Sequence, residues 1–257
     1  PRSDRGRDAM RFTWIDKQRL GQPLRGTFLN FGSPLTARMA AELGFDWLLI
    51  DTEHGACNES DLPGMMIAIE GSNCAPIVRV VSNNQDSIKR ALDLGAVGVM
   101  IPYVSTPEEA AAAASYTHYP PVGVRGVASS TIATGFGLRT DDYHQGASGK
   151  TLTIVQIETR EAVENADGIA AVDGVDVLFV GPLDLSFNLG CPKQFDHPEM
   201  IAALDRVVHA CRNAGKACGI LSTVEKAREH LQRGFTFIAV GSEASALQFG
   251  LLRQRNA

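Results

Sequence analysis

The stretch WLLIDTEHG, residues 47–55, runs four apolar residues straight into Asp51, Glu53 and His54 and closes on Gly55. A run that is apolar at consecutive rather than alternate positions reads as a strand buried on both faces. Its titratable groups crowd one end only. Seven further runs share the β-rich pattern: GTFLNF (26–31), PIVRV (76–80), GVMIPYV (98–104), TIVQIE (153–158), VLFVG (177–181), ACGILS (217–222) and FIAVG (237–241). Between them lie helix-like stretches such as PLTARMAAELG, NQDSIKRALDLG, TPEEAAAAASY and STVEKAREHLQRG. Several open at Ser, Thr or Asn and end at Gly, the expected start and stop chemistry. Buried strands alternating with helices imply a parallel sheet covered on its outer face. Eight of them in 257 residues predict a single α/β domain over 1–257, a (β/α)8 TIM barrel, with an open doubly wound sheet as the alternative.

Outside this rhythm, residues 1–25 read as an N-terminal extension, with an amphipathic helix over 8–21 that precedes the barrel and plugs its bottom. Residues 120–150, PPVGVRGVASSTIATGFGLRTDDYHQGASGK, form a long Gly- and Ser-rich connection between the fourth and fifth strands. Loops of that length usually serve function, so an active-site loop is expected there, with plain disorder as the alternative. Near the C-terminus, EASALQFGLLR (243–253) carries an apolar face fit to dock on a neighbouring copy.

The net charge of −5, with acids and bases interspersed, leaves no basic stripe for nucleic acid. No run approaches the ~18 apolar residues needed to cross a bilayer, so no membrane partner is expected. The opening PRSDRGRDAMRFTW lacks the apolar core of a secretory signal. Cys57, Cys74, Cys191, Cys211 and Cys218 are odd in number and scattered, which points to reduced thiols and a cytoplasmic protein.

In parallel barrels the chemistry sits at the C-terminal ends of the strands. Asp51 and His54 end or follow the second strand, Arg79 lies within the third, Glu158 ends the fifth, and Asp184 follows the sixth in VGPLDLS. Glu158 and Asp184 would stand on neighbouring strands roughly 4.8 Å apart. Carboxylates that close repel unless a cation lies between them, and a hard divalent ion, Mg²⁺ or Mn²⁺ with Co²⁺ also admissible, would bridge both. The alternative is that each carboxylate caps a helix or pairs with a basic side chain; Asp184 can act as an N-cap. Arg79 interrupts a buried strand and needs an anion, either a substrate oxygen or an acid at a helix interface. Asp51 can orient the His54 imidazole for proton transfer, the alternative being a core histidine bonded to a carbonyl. Cys57 could join His54 as a soft metal ligand, but an H-x-x-C spacing alone is a weak signal. Gln156 shares a strand face with Glu158, and the amides at the start of GPLDLS offer a carboxylate cradle. No lysine lies on a strand: Lys150 and Lys216 precede strands, and only Lys193, on a loop, could reach the mouth. That disfavours a Schiff base and favours a metal route.

Together, GTFLNFGSPLTARMAAELGFDWLLIDTEHG, PIVRV, YPPVGVRGV, VQIET, VGPLDLS and FIAVG resemble, in order and over nearly the whole chain, the HpcH/HpaI aldolase family of metal-dependent (class II) pyruvate aldolases. The resemblance implies a (β/α)8 barrel whose last helix swaps between subunits, commonly in a homohexamer. By position it implies Glu158 and Asp184 as metal ligands and Arg79 as the group that steadies the substrate oxygen. His54, with Asp51 behind it, matches the acid/base pair. Gln156 matches a site glutamine, and Gly181, Pro182, Leu183 and Asp184 match the turn whose amides cradle a carboxylate. The implied reaction is reversible aldol cleavage of a 4-hydroxy-2-oxo acid to pyruvate and an aldehyde through a metal-bound enolate. Oxaloacetate decarboxylation or a macrophomate synthase-like coupling are the alternatives, and a non-catalytic barrel is the alternative from another class. The chain departs from the family pattern at Thr52, where glycine is usual, and in the loop ASSTIATGFGLRTDDYHQ; Tyr103 also follows Pro102 where the macrophomate synthase branch has a histidine.

Overall fold

The computed structural model describes residues 12–257. Eight strands, β1 (Leu24–Leu29), β2 (Trp47–Asp51), β3 (Ala75–Arg79), β4 (Gly98–Ile101), β5 (Leu152–Ile157), β6 (Val177–Val180), β7 (Ala217–Ser222) and β8 (Phe237–Ser242), run parallel and close into a barrel. β8 pairs back onto β1. The doubly wound alternative is excluded by that closure. Eleven helices cover the described barrel: α1 (Pro34–Glu42), α2 (Leu62–Ile69), α3 (Gln85–Asp93), α4 (Pro107–Thr117), α5 (Thr140–Lys150), α6 (Arg160–Glu164), α7 (Ala166–Ala170), α8 (Pro182–Asn188), α9 (Pro198–Ala214), α10 (Ala227–Arg233) and α11 (Glu243–Arg255). Their starts follow local chemistry. Asn84 caps α3 through the Ser87 N–H, and Thr106 and Glu109 close a capping box on α4. α9 stops at Gly215, whose φ of 67° is the left-handed geometry glycine tolerates.

Aromatic rings fill the barrel's lumen. Trp47 stacks on Phe237 at 4.3 Å and meets Phe179 edge-on, and Phe28 leans on Phe179 at 6.3 Å. Gly26 makes this packing fit, since a Cβ there would fall 2.1 Å from the Trp47 ring. The mouth residues therefore stand on an apolar floor.

Three expectations need correction or completion. Among the described residues, the helix expected over 8–21 is a short 3₁₀ helix of five residues, Lys17–Gly21; residues 8–11 lie outside the described chain. Asp16 accepts from the Gln18 N–H to start it, and Gly21 with Pro23 ends it. Residues 120–150 are not an active-site loop of their own barrel. They run from the end of α4 to the start of β5, at the end of the strands opposite Glu158. There Arg125 pairs with Asp93 at 2.9 Å under the Tyr119 ring, Tyr143 packs against Trp14, and Thr140–Lys150 is helical. Finally, α11 touches β1 and β8 yet has no buried residue, and Leu247, Phe249, Leu251 and Leu252 stand exposed along it.

Candidate active site

β2 and β3 pair so that Asp51 and Arg79 are register partners, and their side chains meet. Arg79 grips Asp51 with both prongs, Nε to Oδ1 at 2.9 Å and Nη2 to Oδ2 at 2.8 Å. Asn30 donates to Oδ2 at 3.0 Å, and the backbone N–H groups of Glu53 and His54 donate to Oδ1. Burial alone would raise the Asp51 carboxyl, but the Arg79 hydrogen bonds and charge, with the two amides, hold it below its ordinary value. The third corner of Arg79, Nη1, lies 3.0 Å from Glu53 Oε2 as an ion pair without a hydrogen bond's directionality. The guanidinium sits 5.1 Å above the Phe28 ring. Burial opposes its charge, yet Asp51, Glu53 and Glu158 keep it firmly protonated. The anion a buried Arg79 needs is thus supplied first by the chain itself.

This geometry revises the expected pairing of Asp51 with the His54 ring. Asp51 takes only the His54 backbone N–H, at 3.3 Å, because Arg79 and Asn30 occupy its oxygens. The imidazole stands at the exposed rim with Nε2 3.7 Å from Glu53 Oε1. Glu53 is therefore the carboxylate between Arg79 and His54. Burial raises its carboxyl, with the charges of Asp51 and Asp184 adding to the rise and Arg79 and His54 opposing it. In the sequence Glu53 is visible in DTEH but overshadowed by its neighbours, and nothing in GTFLNF singles out Asn30.

Across the mouth, Glu158 is 2% exposed. Its Oε1 accepts from the Gln156 side-chain amide at 2.8 Å and its Oε2 from the Tyr103 N–H at 3.2 Å. Burial, reinforced by the charges of Asp184 and Glu53, pushes its carboxyl up to about 8. Gly181 packs so tightly on it that a Cβ would fall 2.2 Å from Oε1. Asp184 lies in the first turn of α8, which has Pro182 at its start and no side-chain cap; Asp184 itself does not serve as the cap. The Tyr103 hydroxyl donates to Asp184 Oδ1 at 3.1 Å, and burial together with that bond pushes the phenol up to about 12. In the sequence Tyr103 stands out only for following Pro102.

Among the described residues no three His, Cys, Asp or Glu side chains group to hold a metal ion. Cys57 is buried with its thiol raised to about 11, chiefly by burial, which removes it as a ready ligand beside His54. What the mouth offers a cation is a pair of hard carboxylates, Glu158 and Asp184, together with a buried and unpartnered Gln156 Oε1. That donor set fits a divalent ion that keeps several water or substrate ligands.

A closed parallel barrel with its acids gathered at the C-terminal strand ends defines a (β/α)8 enzyme architecture. Residues 25–248 match the family model described as HpcH/HpaI aldolase/citrate lyase, and the chain belongs to that family, an aldolase and carbon–carbon lyase family. It is similar to the 5-keto-4-deoxy-D-glucarate aldolase of Salmonella paratyphi A, 44% identical over 87% of each chain. Among solved structures it is similar to an HpcH/HpaI aldolase/citrate lyase family protein from Burkholderia cenocepacia (TM-score 0.90, 38% identical, 93% of this chain and 97% of that one). A macrophomate synthase superposes with a TM-score of 0.79 at 25% identity, over 98% of this chain and 95% of that one.

Proposed function

We propose that this chain is a divalent-metal-dependent lyase that cleaves a 4-hydroxy-2-oxo acid reversibly to pyruvate and an aldehyde. The observation that carries the reading is the charge excess at the mouth. Asp51, Glu53, Glu158 and Asp184 interact around one guanidinium, Arg79, which is already bound to Asp51. Burial and the remaining repulsion raise both Glu158 and Glu53, and a proton or a cation relieves them. Glu158 and Asp184 would hold that cation, with Mg²⁺, Mn²⁺ or Co²⁺ as candidates.

A bound divalent ion would supply Lewis-acid polarisation of the 2-oxo carbonyl. The chain's own groups do the rest. Gln156 fixes the Glu158 carboxylate through its amide, leaving its own Oε1 to accept from substrate or from a water on the bound ion. Arg79, held rigidly by Asp51, places fixed positive charge where negative charge grows on the substrate's oxygen. The amides of Leu183 and Asp184, in the turn begun by Gly181 and Pro182, bind the substrate carboxylate. His54, at the rim beside Glu53, holds or moves the proton of the 4-hydroxyl oxygen. The relative named for 5-keto-4-deoxy-D-glucarate makes that compound the first to test. The exposed apolar residues of α11 support a homo-oligomer, with the family resemblance favouring a hexamer; light scattering that finds a stable monomer at micromolar concentration would contradict it.

Proton NMR of pyruvate in D₂O tests the core of the reading. The metal-loaded protein should exchange the methyl protons with solvent without any aldehyde, and Arg79→Ala should slow exchange by about 10²–10³. No exchange above a metal-only control removes the pyruvate-enolate chemistry from the reading. Oxaloacetate run beside the aldol substrate separates decarboxylation from cleavage.

A further inference from the structure

Tyr103 touches both of the carboxylates assigned above to the ion. Its backbone is turned to φ 51°, a left-handed conformation that costs a non-glycine residue about 1 kcal/mol or more and persists only when its surroundings hold it. The surroundings do. Pro102, which has no N–H, ends the β4 ladder, and the Val104 N–H bonds back to the Gln156 carbonyl at 3.2 Å on β5. Between these two anchors the Tyr103 N–H is aimed at Glu158 Oε2 and its hydroxyl reaches Asp184 Oδ1. Hydrophobic burial does not explain the placement, because the residue is 50% exposed. Tyr103 also lines, with Glu53, Ser82, Asn83 and Glu109, a cavity of about 550 Å³.

We infer that Tyr103 is a positioning residue for the cation site. Its backbone N–H fixes Glu158 and its hydroxyl fixes Asp184, so a single residue sets the separation of the two ligands and occupies one Asp184 oxygen. The inference rests on the proposed metal-dependent reading. Partners that hold a ligand carboxylate in place are typically worth 10- to 100-fold in metal affinity. The hydroxyl bond, at 3.1 Å, is long for a hydroxyl on a carboxylate, which places its effect at the lower end of that range.

Tyr103→Phe keeps the ring and the backbone turn and removes only the hydroxyl. Calorimetric titration of Mn²⁺ should show about tenfold weaker binding in Tyr103→Phe, with the melting temperature of the metal-free protein unchanged. Tyr103→Leu, which also loses the ring, should be weakened by at least as much. An affinity within twofold of the unsubstituted protein in Tyr103→Phe overturns the inference and leaves the aldolase reading standing. A loss of affinity confined to Tyr103→Leu overturns it as well, since the ring would then be the operative part. Failure of the unsubstituted protein to bind Mn²⁺ takes down both the inference and the metal-dependent reading.

Discussion

Asp51→Asn keeps the side chain's shape and removes one charge from a pair that is almost wholly buried. In the native site Oδ1 accepts from Arg79 Nε and from the amides of Glu53 and His54, while Oδ2 accepts from Arg79 Nη2 and Asn30. The new amide nitrogen has no good position. Turned to the Oδ1 side it meets three donors, and turned to the Oδ2 side it meets Nη2 even after Asn30 flips its own amide to accept. Breaking a buried ion pair from one side typically costs about 3–5 kcal/mol, because the other charge is left without its partner. Glu53, 3.0 Å from Nη1, still offsets part of the Arg79 charge, so a loss near about 3 kcal/mol is expected. Urea denaturation at pH 7 reads it as a lower midpoint at constant slope. The folded Asp51 carboxyl lies below its ordinary value of 3.8, so its stabilisation is present above that pH and lost as pH falls through the folded value. The gap between the variant and the native protein should therefore narrow in acid. A loss under about 1 kcal/mol at pH 7, or a gap indifferent to acid, would refute the idea that Asp51 and Arg79 act as a buried charge pair.

Glu158 runs the other way. Its folded carboxyl is raised from 4.5 to about 8, so the metal-free protein should lose stability as pH rises through that window, and Glu158→Gln should flatten the decline in thermal melts taken from pH 5 to about 9. Mn²⁺ at a hundredfold excess over its Kd should stabilise the native protein by about 2.7 kcal/mol, an increment that Glu158→Gln or Asp184→Asn abolishes in the same melts. Gly181→Ala would drive a methyl group into the Glu158 carboxylate, so it should weaken Mn²⁺ binding at least tenfold by calorimetry, as displacing a ligand's support does.

Consecutive apolar residues make the strands readable, because parallel strands in a barrel are buried on both sides and leave no alternation to misread. β2 and β7 begin and end where WLLID and ACGILS do, while β4 stops three residues short of GVMIPYV because Pro102 cannot donate and Tyr103 turns left-handed. The candidate site residues are legible as the polar ends of those runs. Their pairing is not. Sequence spacing suggests that Asp51 faces His54 three residues on, whereas the cross-strand register delivers Arg79 to Asp51 and leaves His54 to Glu53. A register partner on another strand leaves no trace in local spacing. The 120–150 segment misleads for a related reason. Its length signals function, but which end of the barrel it occupies depends on the helix before it, and α4 carries the chain down to the bottom before the segment begins.

Trp47 and Phe237, stacked, with Phe179 set edge-on against Trp47, turn the barrel from a tube into a cup. A cup has one opening. Among the described residues the rings leave the mouth as the way in for water and small molecules, with no rear exit through the lumen. Whatever covers the rim, where Tyr103 and His54 stand exposed, therefore governs solvent access to the whole mouth at once.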